Sequence, residues 1–323
     1  MMATRAESRS FVEACVLLTL LVAVHAAPQG VCDKTKCPGP LKYYQGLGCT
    51  PVYTNPGDCC AERFDCSHLK DLSKDKCYVN GHEYNIGDAL RVEDRNPCDV
   101  QCTCMKNNDD AAAFVCAGVD CAFLGLQPNC YFRNSHDQCC PGPHICLKEG
   151  EERPTCEVDG QVYKDGESFK PASDAEKNCI CMPGYKGENV EPFCKKPNRD
   201  YCTPLFRNAG SVHKNCVPVF YNNQNPQADC SYSSRCQNAN DTVIHNHDST
   251  KSPLKTDEDD MCRFGNMTMH KGDELNQGTF YDSVCVKCVC EVPPLPTCQQ
   301  LPESECDVTK HKPFADDGVL HFL

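Results

Sequence analysis

The chain has no tryptophan and very little isoleucine. Among its 323 residues, isoleucine occurs only at positions 86, 145, 180 and 244. Burial of large apolar side chains has to offset the conformational entropy that loop residues lose when they become ordered. This composition excludes a conventional large hydrophobic core, so we expect covalent crosslinks to supply much of the stability.

Basic residues are also scarce. The chain has 32 lysines and arginines against 45 aspartates and glutamates, a formal net charge of −13, and no basic run long enough to follow a phosphate backbone. Serines and histidines are scattered, and no serine lies in a nucleophile-elbow motif. The sequence therefore argues against a nucleic-acid partner. It predicts a protein that is not an enzyme and needs no cofactor.

Cysteine, by contrast, is abundant, with 31 copies, and the first residues of the chain indicate why. Two arginines form a weakly basic start, an apolar run follows over 14–24, and Val24-His25-Ala26 is typical of a cleavage site. We interpret residues 1–26 as a secretory signal peptide. A membrane anchor is the alternative, but Glu13 keeps the run well below the roughly 20 residues that span a bilayer. No later segment is apolar enough to span one.

Removal of the signal peptide takes Cys15 with it and leaves 30 cysteines, an even number. Cysteine at about a tenth of a secreted chain is typical of a disulfide scaffold rather than of a metal protein. We therefore expect a secreted, extracellular protein without a membrane span.

Three segments of the chain begin in the same way. Each starts with a cysteine, continues with a two-residue turn signal, and has a glycine ten positions and a large apolar residue thirteen positions after the cysteine. The first segment has Cys77, Asn80-Gly81, Gly87 and Leu90. The second has Cys156, Asp159-Gly160, Gly166 and Phe169. The third has Cys262, Gly265-Asn266, Gly272 and Leu275. Asn-Gly and Asp-Gly favour a hairpin because both turn residues adopt positive φ. We predict a short β-hairpin at each start, in which Tyr84, Tyr163 or Met269 covers the nearest disulfide.

A Cys-x-Cys pair follows each hairpin. The three pairs are Cys102-Cys104, Cys179-Cys181 and Cys288-Cys290. Residues two apart on a strand lie on the same face, so both sulfurs are placed to bridge to adjacent strands. A metal site is the alternative, but in a secreted chain crowded with other cysteines this spacing favours disulfides, and we predict no bound metal.

The second half of this pattern also recurs by itself, which divides the chain into four units. Cys60, Cys140 and Cys230 are each followed by another cysteine after five intervening residues. The predicted organisation is an N-terminal half unit over 32–66 (unit 1), a full unit over 77–146 (unit 2), a thinned unit over 156–236 (unit 3), an acidic polar linker over 237–261, a C-terminal half unit over 262–306 (unit 4) and a flexible tail over 307–323.

The linker carries polar motifs of several kinds. Its acid run over 257–260 lacks the spaced ligands of a calcium loop, so we interpret it as solvated. His245 and His247 alone are too few for a zinc site. Asn240, and Asn266 in the last hairpin, lie in acceptor sequons and are predicted sites of N-glycosylation. The tail has no cysteine and is expected to be mobile.

Unit 2 resembles the von Willebrand factor type C (VWC) domain. The resemblance lies in its ten-cysteine rhythm, its C-x2-[DN]-G-x2-Y-x2-G opening, its Cys-x-Cys pair and its adjacent Cys-Cys pair. This module occurs in chordin-like and crossveinless-like growth-factor antagonists, collagen propeptides and matrix proteins. Unit 3 is a thinned match and the two ends are half matches, although the family often has a tryptophan that this chain lacks. The resemblance implies a small disulfide-rich, mainly β fold of short hairpins and loops, arranged as elongated tandem modules with negligible helix.

The family's disulfide scheme joins cysteines one and four, two and eight, three and five, six and nine, and seven and ten. For units 2 and 3 the resemblance implies the bonds Cys77–Cys104, Cys98–Cys139, Cys102–Cys116, Cys121–Cys140, Cys130–Cys146, Cys156–Cys181, Cys179–Cys194, Cys202–Cys230 and Cys216–Cys236. Unit 3 has Ala175 and Asp229 where the second and eighth cysteines would lie. These positions are bonded partners in the family, so their joint loss leaves no orphan thiol.

The half units leave part of the pairing open. There the scheme implies Cys37–Cys60, Cys49–Cys66, Cys262–Cys290 and Cys288–Cys298. Four cysteines remain without an assigned partner, and we predict that they close locally as Cys32–Cys59 and Cys285–Cys306. The alternative joins the two ends of the chain, for example through Cys59–Cys285, or joins two chains.

The resemblance implies an extracellular protein without enzyme activity, and we expect a structural or matrix-associated role. One alternative is an antagonist that binds cystine-knot growth factors of the bone-morphogenetic type. The corresponding binding residues would lie on the first hairpin of unit 2. They are Val79, His82, Tyr84 and Ile86. The same side chains have a second interpretation, as covers of the adjacent disulfides.

Unit 4 also resembles the small pacifastin-type protease inhibitors, which share its six cysteines and Cys-x-x-Cys-x-Cys pattern. In that family the reactive bond lies just before the last cysteine, which here places it within 299–305. A proline directly after Leu301 in Leu301-Pro302-Glu303 fits poorly as a substrate mimic. Inhibition of serine proteases through unit 4 is therefore a further alternative.

Overall fold

The structure is a computed structural model that describes residues 32–106, 111–121, 125–142, 144–174, 176–246, 258–280, 284–307 and 309–310. The predicted signal peptide, Ala175, His247, Asp257 and the tail after residue 310 lie outside these residues. Across the described ranges the protein is disulfide-rich and mainly β, as the sequence predicts, and its helix content is confined to three short α-helices and a few 3-10 turns. No helix among them has the length and hydropathy needed to cross a membrane.

The regular elements are short because turn residues interrupt the chain every few positions. The α-helices of the described part are α1 (Leu41–Gly46), α2 (Pro204–Arg207) and α3 (Ala209–His213). The strands are β1 (Thr50–Val52), β2 (Arg63–Asp65), β3 (Lys76–Val79), β4 (His82–Asn85), β5 (Val100–Lys106), β6 (Ala112–Ala117), β7 (Cys130–Phe132), β8 (His144–Cys146), β9 (Thr155–Val158), β10 (Gln161–Lys164), β11 (Ser168–Phe169), β12 (Asn178–Ile180), β13 (Cys194–Lys195), β14 (Val217–Phe220), β15 (Ser233–Arg235), β16 (Val243–Ile244), β17 (Met261–Phe264), β18 (Met267–His270), β19 (Glu274–Leu275), β20 (Gly278–Phe280), β21 (Val284–Val289) and β22 (Thr297–Gln300).

The three predicted hairpins are present as β3–β4, β9–β10 and β17–β18. Asn80-Gly81 and Asp159-Gly160 both have two positive φ angles, between 50° and 78°. In the third turn only Gly265 has positive φ, 57°, because the glycine comes first, as in a type II′ turn. Tyr84, Tyr163 and Met269 each lie directly across the hairpin from the opening cysteine of their unit.

The structure has fifteen disulfides, and they join the same pairs as the family scheme together with local closure of the half units. We name the parts of a unit the opening half, which contains the first hairpin and the Cys-x-Cys pair, and the closing half, which follows it. The halves are 32–66 (closing, unit 1), 77–116 (opening, unit 2), 121–146 (closing, unit 2), 156–194 (opening, unit 3), 202–236 (closing, unit 3) and 262–306 (opening, unit 4). Cys98–Cys139 joins the two halves of unit 2, whereas no disulfide joins the two halves of unit 3.

The units are not separate modules in a row, because halves of different units pack together. Phe206, in the closing half of unit 3, lies in the same buried cluster as the opening half of unit 2 and stacks on Phe114 with ring centroids 5.1 Å apart. The closing half of unit 2 in turn packs on the opening half of unit 3, where Arg133 and Tyr131 bind the buried Asp165. Loss of the disulfide between the halves of unit 3 leaves them joined only through the backbone, which is compatible with this exchange of partners.

The first and last units of the chain also pack on each other. Tyr44 of α1 is fully buried, and its hydroxyl donates to the carbonyl of Val292 at 2.7 Å and accepts from the backbone N–H of Leu295 at 2.9 Å. One buried cluster contains side chains from unit 1, from the closing half of unit 3 and from unit 4. The elongated arrangement that the resemblance implies is therefore replaced here by a chain that folds back on itself.

A seven-stranded sheet brings unit 3 and unit 4 together. Its strand order is β15-β14-β22-β21-β19-β16, with β20 also paired to β21, and β14 runs parallel to β22. The edge strand β16 lies within the predicted linker and pairs with β19 through Val243 and Ile244. Val243 and Ile244 of the predicted linker thus belong to the sheet, because two β-branched side chains in this polar stretch are enough to extend it.

Candidate functional site

The four predicted ligand-binding residues of unit 2 do not share one surface. Val79 and Tyr84 are buried in the core of the opening half, where they cover the Cys77–Cys104 disulfide region. His82 is partly exposed and Ile86 is exposed. The structure therefore places two of the four out of reach of a ligand and supports the interpretation of these two as disulfide covers.

His82 is held by a buried carboxylate. Asp94 accepts hydrogen bonds from Asn80 at 2.8 Å and from the Tyr84 hydroxyl, and its Oδ2 lies 2.7 Å from Nδ1 of His82. Burial acts to raise the pKa of Asp94, but the hydrogen bonds from Tyr84, His82 and Asn80 outweigh it and hold that pKa below its ordinary value. This network fixes the hairpin to the segment that follows it. Sequence patterns gave no signal for Asp94, because its partners are set by tertiary packing.

The solvent-facing side of β5 and β6 is a second surface on the same half. Met105 and Val115 are 47% and 49% exposed, and the chain segment after Ile86 pairs with β5 through Gly87 N–H to the carbonyl of Cys104 at 2.8 Å. Isolated exposed apolar residues are common, but Met105 and Val115 on one small sheet, with exposed Ile86 in the adjoining segment, offer apolar surface that a protein partner could cover. Cys102 and Cys104 are two positions apart and share the buried face of β5, so Met105 lies on the opposite, exposed face.

A groove lies between units 2 and 3, with a volume of about 870 Å³. Its walls are the segments 95–100 and 134–141 of unit 2 and the segments 168–170, 178–180 and 195–198 of unit 3. A second depression of about 600 Å³ shares residues 134–138 with it. This groove exists because one unit packs against the other, so the sequence pattern of either unit alone does not predict it.

The walls of the groove are fixed by several bonds. Both cysteines of Cys98–Cys139 lie in its lining, and so does Cys179, which is bonded to Cys194. Across the junction, Lys195 pairs with Asp137 at 2.6 Å, and Nε2 of His136 lies 2.9 Å from the carbonyl of Phe193. The hydrogen bond to Asp137 raises the pKa of Lys195, which therefore remains a cation at the rim.

Apolar side chains lie at the mouth of the groove beside this charged rim. Tyr201 is 58% exposed and Val92 is 69% exposed, and both line the groove together with Val100. Lys170 and Lys196 add positive charge on the unit 3 side. Tyrosine is one of the residue types enriched at protein interaction surfaces, which makes Tyr201 the main candidate contact here.

The predicted glycosylation sites and the acid run lie elsewhere. Asn240 and Asn266 are both exposed, so both sequons are accessible; glycosylation itself remains a prediction. Asp259 and Asp260 lie within 3.9 Å of the Arg63 guanidinium. The described part of the acid run therefore contacts unit 1, while the Asp259 side chain is 70% exposed and remains solvated. Asp257 lies outside the described residues.

The predicted reactive segment of unit 4, 299–305, begins within β22 and continues beyond its end. Leu301 donates its backbone N–H to the carbonyl of Cys285 at 2.8 Å, and Glu303 begins a short 3-10 helix that ends at Glu305. The segment is therefore tied to the sheet close to Leu301. Protease inhibition remains a prediction, which a trypsin and chymotrypsin inhibition assay tests.

Four groups of side chains in the described part have the spacing of metal ligands. Three of them contain cysteines whose sulfurs are in disulfides and so cannot act as thiolate ligands. The fourth consists of His245, His270 and Asp273.

No protein-family model matches the chain, and no solved structure matches it.

Proposed function

We propose that the protein is a secreted VWC-repeat protein that acts outside the cell as a structural or matrix-associated binding protein, without enzyme activity. The groove between units 2 and 3 is its binding surface, and the observation that carries this proposal is that covalent bonds and ion pairs fix both walls. Its partner is an extracellular protein rather than a small molecule, because the groove is wide and open to solvent at a mouth lined by Tyr201 and Val92.

Rigidity is what the disulfides contribute to this function. Association costs free energy for each side chain and loop that becomes ordered at an interface. Walls held by Cys98–Cys139 and Cys179–Cys194 are ordered before a partner arrives, so a protein ligand meets a surface of fixed shape. The same bonds suit a module that separates binding surfaces by a constant distance in a matrix.

Retention on matrix components tests this proposal. The protein is recovered from the medium of secreting cells, its N-terminus is sequenced to locate signal cleavage, and it is passed over immobilised collagen, fibronectin and proteoglycan. We expect retention on at least one component, and we expect the double variant V92S/Y201S to reduce that affinity at least tenfold.

Val162 provides a matched control, because it is as exposed as Val92 but lies on β10 outside the groove. V162S should therefore be retained like the parent protein. Equal retention of V92S/Y201S and the parent protein would remove the groove from the proposal. Absence of binding to every matrix component would remove the matrix role.

The exposed patch of Ile86, Met105 and Val115 favours a second candidate, antagonism of bone-morphogenetic-type growth factors. The patch lies on the opening half of a VWC-like unit, the part that the resemblance associates with growth-factor binding. We expect a bone-morphogenetic-type dimer to bind the immobilised protein and M105S/V115S to weaken that binding, with V162S again as the control. Unchanged binding by M105S/V115S would exclude this surface.

A further inference from the structure

The turn after the hairpin of unit 4 contains a fully buried carboxylate that contacts two imidazoles. Oδ2 of Asp273 accepts the backbone N–H of His270 at 2.8 Å. The same oxygen lies 2.9 Å from Nδ1 of His245 and 3.5 Å from Nδ1 of His270. The two imidazole rings have centroids 6.3 Å apart. Three potential metal donors thus meet at one point where strands β16, β18 and β19 adjoin.

The equivalent turns of the other two hairpins are each closed by a single hydrogen bond from the backbone to a carboxylate. In unit 2, Asp88 accepts the backbone N–H of Asn85 at 2.7 Å, and in unit 3, Glu167 accepts that of Lys164 at 2.8 Å. Both of these carboxylates belong to exposed residues. One hydrogen bond from an exposed carboxylate is therefore enough to close the turn, and the two histidines and the burial in unit 4 need a separate explanation.

We propose that His245, His270 and Asp273 form a binding site for a divalent transition cation of the zinc type. Zinc is held at about 2.0–2.2 Å from nitrogen and oxygen ligands in a tetrahedron, which places neighbouring ligand atoms roughly 3.3 Å apart. The separations of 2.9 and 3.5 Å from Oδ2 of Asp273 lie on either side of that value. The three donor atoms all lie within 4.8 Å of one another, so small side-chain rotations complete the arrangement.

The donor set selects the class of metal. Two imidazole nitrogens and one carboxylate suit zinc and its neighbours, whereas calcium takes six to eight oxygen ligands. The His245 side chain is 64% exposed, so water can take the fourth position. Binding replaces an Nδ1–H contact with a metal–nitrogen bond, which requires each coordinating Nδ1 to be deprotonated.

A bound cation would link the predicted linker to unit 4. His245 directly follows β16, His270 ends β18 and Asp273 precedes β19. These elements form one edge of the seven-stranded sheet and the hairpin beside it. The sequence indicated too few ligands here because His245 and Asp273 are 28 positions apart and only pairing of β16 with β19 brings them together.

Titration calorimetry on the full secreted protein, treated with chelator and then dialysed, tests the site. We expect saturable binding of one zinc ion per chain, a higher midpoint of thermal unfolding with zinc, and no response to calcium. Cobalt(II) in place of zinc should give the intense visible absorption of a tetrahedral ion. H245Q and H270N should each lower zinc affinity at least tenfold, and H270N restores the residue that unit 2 has at this position, Asn85.

Two controls keep the result interpretable. D88N removes the equivalent turn carboxylate of unit 2 and H144Q removes an exposed histidine of β8, and both should bind zinc like the parent protein. If a ligand variant fails to fold, zinc should still protect His245 and His270 of the parent protein, but not His144, from modification by diethylpyrocarbonate. Absence of zinc binding, or equal binding by H245Q and H270N, would overturn the proposal.

Discussion

Arg199 forms a buried ion pair with Asp99, and the two residues belong to different units. Its Nη2 atom lies 3.0 Å from Oδ1 and 2.8 Å from Oδ2 of the carboxylate, and its guanidinium carbon lies 3.7 Å from the centroid of the Phe206 ring. The carbonyl and amide groups of Arg199 also bond the side chain of Asn96. This one arginine, in the segment between the two halves of unit 3, therefore ties unit 3 to the opening half of unit 2.

Replacement of Arg199 with methionine should strongly destabilise the protein. The change leaves Asp99 buried without its main counter-charge, which typically costs on the order of 3–5 kcal/mol. The free energy of unfolding in urea measures the effect, with K196M as the control. Lys196 pairs with Glu176 on the surface, where both side chains are about two-thirds exposed and water screens the charges. An R199M variant no less stable than K196M would contradict the interleaved packing.

Tyr44→Phe tests the contact between the two ends of the chain. The change removes one hydroxyl and leaves the buried carbonyl of Val292 and the N–H of Leu295 with one partner fewer, at a cost of about 1–3 kcal/mol. Chemical denaturation followed by tyrosine fluorescence measures the loss. Y53F is the matched control, because Tyr53 is exposed. Equal stability of the two variants would show that unit 1 does not depend on unit 4.

The hairpins were predictable because their signals are local. The turn at Asn80-Gly81 needs positive φ at two adjacent residues, and the position of Tyr84 opposite Cys77 follows from the length of that hairpin. The family scheme likewise implies the pairing of cysteines within a unit.

The packing between halves was not predictable from the same signals. Phe206 and Phe114 are 92 positions apart along the sequence numbering, and no periodicity of either segment identifies the other as its partner. The groove of units 2 and 3 depends on that packing, and so does the cluster around Asp273, which requires β16 to pair with β19. Both sites arise from contacts between residues far apart in sequence, whereas sequence patterns predict contacts only within one strand or turn.

Gly46 tests the contact between α1 and the closing half of unit 3. A Cβ atom added there would lie 1.8 Å from the carbonyl oxygen of Cys202, so backbone must move. G46A should therefore be destabilising, even though alanine is favoured over glycine in a helix by about 1 kcal/mol. Thermal unfolding compares it with G118A, where a Cβ would meet no atom within 4 Å. A G46A variant as stable as G118A would be inconsistent with this contact.

Asp165 should give the protein a specific sensitivity to acid. Burial acts to raise its pKa, but hydrogen bonds from Arg133 and Tyr131 outweigh burial and hold the pKa below the ordinary value of 3.8. A carboxyl whose pKa is lower in the folded state stabilises the fold above pH 3.8, and that stabilisation is lost as the pH falls through the folded-state pKa. D165N should therefore be less stable than the parent protein at pH 7, and the difference should shrink below pH 3.8.

Urea unfolding at a series of pH values between 7 and 2 measures this difference, with D137N as the control. Asp137 also has a lowered pKa, mainly through its hydrogen bond from Lys195, but it is exposed and its pair is screened by water. The parent protein and D137N should have nearly parallel profiles. A constant gap between the parent protein and D165N down to pH 2 would show that the charge of Asp165 is not what stabilises the junction.

Fragments of the chain should reveal that unit 2 depends on unit 3. A fragment of residues 77–146 retains all five disulfides of unit 2 but lacks Phe206, which fills the core between Phe114 and the first hairpin. Loss of a buried phenylalanine side chain typically costs about 3–5 kcal/mol. Hydrogen exchange should therefore show weaker protection of β3 and β6 in this fragment than in one of residues 77–236, and an F206A variant of the longer fragment should lose the difference. Equal protection in all three would mean that unit 2 folds by itself, and that the exchange of halves adds no stability to it.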